Sequence, residues 1–188
     1  MALHPAFPAS PYAILDPAVR WLPGDGAASP EKLLPPLVTQ LRRKVKEFRD
    51  GGYAGASTAS KSLLTWWFDT PHLLPQANGA DAEFQYYFAQ REAVETIIYL
   101  HDVVGVQDKF DLMRFDSSGA ITTGMFDETW RRVVVKMATG AGKTKVLSLI
   151  LAWSFYHKRY EPDSDLARNF LLITPNIIVL DRIYRDFQ

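Results

Sequence analysis

The sequence predicts an α/β fold, a parallel sheet with flanking helices, entered through a proline-rich arm and a mostly helical N-terminal region. Three observations carry this. A β-branched run at 132–137 leads into a glycine loop. A long apolar stretch at helical length, 143–158, follows the loop. A second apolar run, 170–174, is broken by Pro175 and followed by helical spacing to Phe187. Strand, glycine loop, helix, strand, helix is the opening of a parallel sheet, because parallel strands need a crossover between them.

Taken in order, residues 1–36 hold eight prolines, from Pro5 to Pro36, and read as an extended arm, since proline fixes φ and lacks a donor. Residues 37–49 place Leu37, Val38, Leu41, Val45 and Phe48 at helical spacing, and Gly51-Gly52 ends the helix. Gly55 to Ser60 reads as a small-residue loop, Ser62 to Phe68 is apolar and aromatic, and Pro71 opens a polar loop to Ala82. These make a mostly helical region over 37–83. Val94, Ile97 and Ile98 predict a helix from about Gln90 to Val104. Gly119 and Gly124 punctuate a loop. Arg132 to Met137 and Phe170 to Thr174 read as buried strands, and the helix between them, apolar almost all round, as buried too.

Composition narrows the class. The 188 residues are 47% hydrophobic and 22% charged, ordinary for a soluble globular chain, and 21 basic residues balance 21 acidic ones. Any basic surface must therefore be local. There is no cysteine, which excludes disulfides and thiolate metal sites. The start lacks a basic stretch followed by an apolar run, and the most apolar segment, Val146 to Tyr156, is too short for a bilayer. The expectation is a soluble, cytoplasmic protein with no membrane segment.

Met137-Ala-Thr-Gly-Ala-Gly-Lys-Thr144 fits the phosphate-loop pattern G-x-x-x-x-G-K-S/T except at its first position, where Met137 stands for glycine. Gly140 and Gly142 permit positive φ and close backbone approach to phosphate. The N–H groups of Thr139 to Thr144 and the helix N-terminus form an anion cradle. Lys143 is placed to reach β- and γ-phosphates, and the Thr144 hydroxyl to meet Mg²⁺. The other reading, a glycine turn with a chance lysine, does not account for the strand before it and the helix after it.

Residues 138–144 resemble motif I of superfamily-two helicases. Phe170 to Phe187 resembles their motif Ia, and Phe88-Ala-Gln-Arg-Glu-Ala-Val-Glu-Thr-Ile-Ile98 their glutamine motif, all in the correct order. The chain thus resembles the DEAD/DEAH-box helicase family that includes the restriction (R) subunit of type III restriction enzymes, over roughly residues 60–188. Weaker similarity lies in 62–68 and 160–164.

That resemblance implies an incomplete RecA-like phosphate-loop domain over 84–188, ATP and Mg²⁺ as cofactors, and a nucleic-acid partner, DNA rather than RNA. A modification (methyltransferase) subunit is a further partner if the protein works in a restriction system. Gln90 is implied at the adenine, because a carboxamide donates and accepts at once and can pair with N6 and N7; alternatively it is a polar residue at a helix start. Pro175 and Asn176 are implied at the nucleic-acid backbone, although Asn176 is equally a helix cap. The implied function is the ATP-binding portion of a helicase or translocase. The alternative is a non-catalytic nucleotide- or nucleic-acid-binding module.

Other features have plainer explanations. Phe84, Tyr86, Tyr87 and Phe88 include a possible adenine stack but read as core. Arg42, Arg43, Lys44, Lys46 and Arg49 read as a solvated helix face rather than a phosphate patch. Trp66 and Trp67 read as core rather than base-stacking platforms. His4, His72, His101 and His157 show no ligand spacing, so no metal is expected beyond nucleotide-bound Mg²⁺. Asp127-Glu128 precedes the glycine loop, whereas the metal-binding acid of the family follows motif Ia. The acidic motif and the second motor domain of a helicase lie outside the sequence, which reads as truncated. In the implied sheet, later strands separate 133–137 from 170–173. Without them both runs are expected to expose backbone groups and apolar side chains.

Overall fold

A computed structural model describes residues 38–76, 79–115, 133–174 and 177–186. The chain divides into two units, residues 1–46 with 106–131 and residues 47–105 with 132–188. Within the first, Val45 and Phe115 are buried, and a five-residue helix α4, Lys109–Met113, is capped by the Asp108 carboxylate, which accepts from the Phe110 and Asp111 N–H groups.

Helix α1, Val38–Asp50, follows the predicted apolar spacing. It stops at Gly51-Gly52: Gly52 takes a φ of 64°, its N–H donates to the Arg49 carbonyl, and Tyr53 N–H reaches back to Phe48. Tyr53 itself has a φ of 60°, uncommon for a residue with a side chain. Helix α2, Thr58–Phe68, begins at Ser57, whose hydroxyl accepts from the Ser60 N–H. Thr58 to Ser60 therefore belong to a first helical turn, not to the expected loop. Ser60, Leu64 and Trp67 form its buried face.

The expected polar loop after Pro71 contains a hairpin instead. β1, His72–Pro75, pairs antiparallel with β2, Asp81–Phe84, with His72 opposite Phe84 and Pro75 opposite Asp81. Leu73 and Leu74 are exposed, so the hairpin buries little and leaves no alternating signal. Helix α3, Phe88–Ile98, runs on into a single π-helical segment, Tyr99–Val103. Helix α5, Lys143–Tyr160, and helix α6, Ile177–Asp186, occupy the predicted positions.

The core of the second unit is helical. Helix α5 packs against α3 and α2. Val146, Leu149, Trp153 and His157 lie along one face of α5, so that helix is buried on a stripe and not all round. Phe48, Tyr53, Leu64, Trp67, Val94 and Ile98 complete the cluster. Trp67 is core as expected, but Trp66 is exposed, its ring edge against His72.

Among the described residues the sheet is two-stranded and antiparallel. The segments 133–137 and 170–174 form no strand, and Val134, Leu171 and Ile173 are each more than three-quarters exposed. A β-branched run becomes a strand only when another supplies its ladder, and no described segment pairs with either run. No described helix is long and apolar enough to cross a membrane.

Candidate functional site

The glycine loop closes on α5 through two left-handed residues. Gly140 has a φ of 81°, and Gly142, at the helix N-cap, a φ of 77°. Those angles are cheap only for glycine. The Gly142 carbonyl accepts the first helical bonds, from Lys145 and Val146. The N–H groups that open an α-helix have no partner inside it and carry its positive end. A Cβ at Gly140 would meet nothing, so that side of the loop is open. Lys143 is exposed, and its Nζ donates to the carbonyls of Ala138 at 2.9 Å and Met137 at 3.3 Å. The ammonium thus lies over the loop, and Thr144 follows it in the first helical turn.

Gln90 joins the loop to the rest of the core. Its Oε1 accepts from the Tyr87 N–H at 2.9 Å. Its Nε2 donates to the Ala141 carbonyl at 3.3 Å and lies 3.5 Å from that of Gly142. The residue is 6% exposed. It sits at a helix start and also touches the glycine loop. Of its aromatic neighbours, Tyr86 packs edge-on against Phe68 and Phe84, whereas Tyr87 is largely exposed. Pro175 and Asn176 lie outside the described residues, as does Asp127-Glu128.

Behind Gln90, one turn further along α3, Glu95 is fully buried. Arg49 Nε donates to both its oxygens at 3.0 and 2.9 Å, and Arg49 Nη2 also contacts Oε2. Arg91 Nε and the Tyr53 hydroxyl both donate to Oε1, at 2.8 and 2.9 Å. Burial, then the Glu95 charge, pushes the Tyr53 hydroxyl well above the usual phenol range. Arg49 is therefore not part of a solvated face: it leaves α1 to neutralise a carboxylate on α3. Arg43, Lys44 and Lys46 are exposed as expected.

A second constellation was not anticipated. His101 and Asp102 in the π-helical segment and His157 on α5 each place one ligand-type atom within 4.8 Å of the others. Burial opposes ionisation of Asp102, but hydrogen bonds from His101, Ser60 and the Ser57 N–H hold its carboxyl down at about 2. The Asp102 hydrogen bond raises the pKa of His101 against burial, with Asp165 adding to it, while burial lowers that of His157 despite the nearby Asp102 charge. The only local trace in the sequence is the adjacent His101-Asp102 pair; His157 joins it through packing.

No curated protein and no solved structure matches the chain. The family model described as type III restriction enzyme, res subunit, matches residues 83–188, more than half of the sequence. That span starts in β2 and takes in Gln90, the glycine loop and all of α5 and α6. Both helices that meet at the glycine loop thus fall inside the match, and the chain belongs to the type III restriction enzyme res-subunit family, with this span its superfamily-two helicase-like region.

Proposed function

We propose that this chain is the ATP-binding N-terminal portion of a nucleic-acid-dependent ATPase of helicase or translocase type, with DNA as the nucleic acid. The observation that carries the reading is the left-handed pair Gly140 and Gly142 at the N-terminus of α5, with the Lys143 ammonium over the same loop. The N–H groups of Thr139 to Thr144 hold the phosphates, and the dipole of an 18-residue helix favours their charge. Lys143 exchanges its two carbonyl partners for phosphate oxygens, a charge-assisted bond of the stronger kind. The Thr144 hydroxyl holds Mg²⁺, which neutralises phosphate charge when bound.

Gln90 reads the adenine edge by giving up its long contacts to Ala141 and Gly142. Pro175 and Asn176 meet the nucleic-acid backbone. Family membership supports a RecA-like arrangement over 84–188. It also supports a modification methyltransferase subunit as partner.

The test is nucleotide binding by calorimetry. Lys143→Ala removes a charged hydrogen bond worth about 1.5–3 kcal/mol and weakens ATP binding by roughly 10- to 100-fold with the fold intact. Unchanged affinity overturns the site. A second reading, a nucleotide-binding module without base selection, draws on the protein partners that already occupy the Gln90 carboxamide. It requires equal affinity for ATP and GTP, and no change in their ratio in Gln90→Ala.

A further inference from the structure

The two histidines of the second constellation are held in the manner of metal ligands. His101 Nε2 pairs with Asp165 Oδ1 at 2.8 Å, which leaves Nδ1 facing Asp102 Oδ1 at 2.7 Å. His157 Nδ1 pairs with Ser164 Oγ at 2.6 Å, which leaves Nε2 facing the same Asp102 oxygen at 3.5 Å. The other Asp102 oxygen accepts from the Ser57 N–H at 2.9 Å. Each convergent atom thus belongs to a side chain whose far atom is fixed by an outer partner: a carboxylate, a hydroxyl and a backbone N–H. A histidine that binds a metal commonly has its other ring nitrogen held in this way.

The backbone adds a second observation. Tyr99–Val103 is the single π-helical segment among the described residues. A π-helix winds less per residue than an α-helix, so neighbouring side chains point in closer directions, and such bulges occur often at functional sites. Here it turns His101 and Asp102 together toward His157. Gly55, Ala56 and Ser57 line the same cleft as these three side chains.

We propose that His101 Nδ1, Asp102 Oδ1 and His157 Nε2 bind one divalent transition-metal ion of the zinc class, with a water in the fourth position. Two imidazoles and a carboxylate are the ligands such an ion takes. Ligands about 2.0–2.1 Å from a tetrahedral zinc lie roughly 3.3 Å apart; the His157–Asp102 separation of 3.5 Å matches this, while the His101–Asp102 hydrogen bond of 2.7 Å opens when the ion replaces its proton. The site is separate from nucleotide-bound Mg²⁺. His157 is near the C-terminus of α5 and Lys143 opens it, which at about 1.5 Å per residue places them roughly 20 Å apart. A bound ion would tie the π-helical segment to α5, with the N-terminus of α2 and the 161–165 turn behind it through Ser57, Ser164 and Asp165.

The experiment uses the 188-residue chain, stripped with chelator and free of nucleotide, titrated with Co²⁺ and then displaced with Zn²⁺. The expected result is one equivalent bound, with visible bands of tetrahedral cobalt, and unchanged binding in His72→Gln. Asp165→Asn, a half-exposed outer partner, weakens binding about 10- to 100-fold, and His157→Gln abolishes the bands. Because His157 is buried and its loss can unfold the chain, ring ¹⁵N shifts in the unsubstituted protein give an independent reading. Zn²⁺ must move His101 Nδ1 and His157 Nε2. Absence of cobalt bands, equal binding in Asp165→Asn, or shifts confined to His4 and His72 overturns the proposal and leaves His101 as a proton bridge between Asp102 and Asp165.

Discussion

A Cβ on residue 142 would stand 2.0 Å from the Gln90 Nε2. Gly142 is therefore held to glycine by its φ of 77°, and a side chain there would also push aside the end of a carboxamide from another helix. Gly140 carries only the first constraint, since nothing lies near its Cβ position.

That difference sets the first prediction. Gly140→Ala meets only the left-handed penalty, about 1–2 kcal/mol. Gly142→Ala meets the same penalty and also displaces Gln90 from the loop, so it is the more destabilising of the two and loses nucleotide binding as well. Thermal unfolding of the two variants, side by side, checks this. Equal losses would mean that the Gln90 contact has no energetic weight.

Glu95 gives the second. Removing one member of a buried ion pair strands the other, at about 3–5 kcal/mol. Glu95→Ala removes the carboxylate that Arg49 and Arg91 share and falls within that range, since Arg91 keeps its ion pair with Asp69 and its bond to the Phe68 carbonyl. Arg49→Ala costs less, because Arg91 and the Tyr53 hydroxyl still satisfy Glu95. Urea midpoints rank the variants, and the reverse order contradicts the assignment.

The third concerns alkaline pH. The Tyr53 hydroxyl ionises at higher pH in the folded chain than in the unfolded one, where a tyrosine titrates near 10. Above about pH 10 the unfolded state releases a proton that the folded state keeps, so this contribution is intact below pH 10 and is lost as pH rises. Absorbance of tyrosinate should show one of the eight tyrosines ionising only with unfolding. Tyr53→Phe should remove that late step, and a full set of early steps in the parent chain would exclude it.

A fourth follows from the start of α2. Ser57 caps the helix through its hydroxyl, so Ser57→Ala costs about 1 kcal/mol and Ser57→Gly only a few tenths. Chemical denaturation separates the two. A cost in Gly matching that in Ala would put the effect in the backbone and not in the cap.

The helices were legible because burial of one face writes a spacing into the sequence, as Val45 and Phe48 do on α1 and Val146, Leu149 and Trp153 on α5. The hairpin was not: Leu73 and Leu74 are exposed together, so no face alternates. The runs at 133–137 and 170–174 read as strands because β-branched residues suit them, but pairing depends on a partner elsewhere and leaves no local mark. The same holds at the site. The glycine loop is contiguous and could be read directly. The Gln90 contact to it spans 51 residues, and His157 meets His101 only when α5 packs on α3.

Glu95 also decides where this molecule can be cut. The family match begins at residue 83, yet the carboxylate inside it is neutralised by Arg49 and bonded by Tyr53, both upstream of that border. Leu64 and Trp67 close the same core from the same side. A gene fusion or splice made at residue 83 would leave a charge in an apolar interior with two of its three side-chain partners gone. Arg49, Tyr53, Leu64 and Trp67 thus complete the interior of the family-matched region, and a piece cut at residue 83 would leave that interior open.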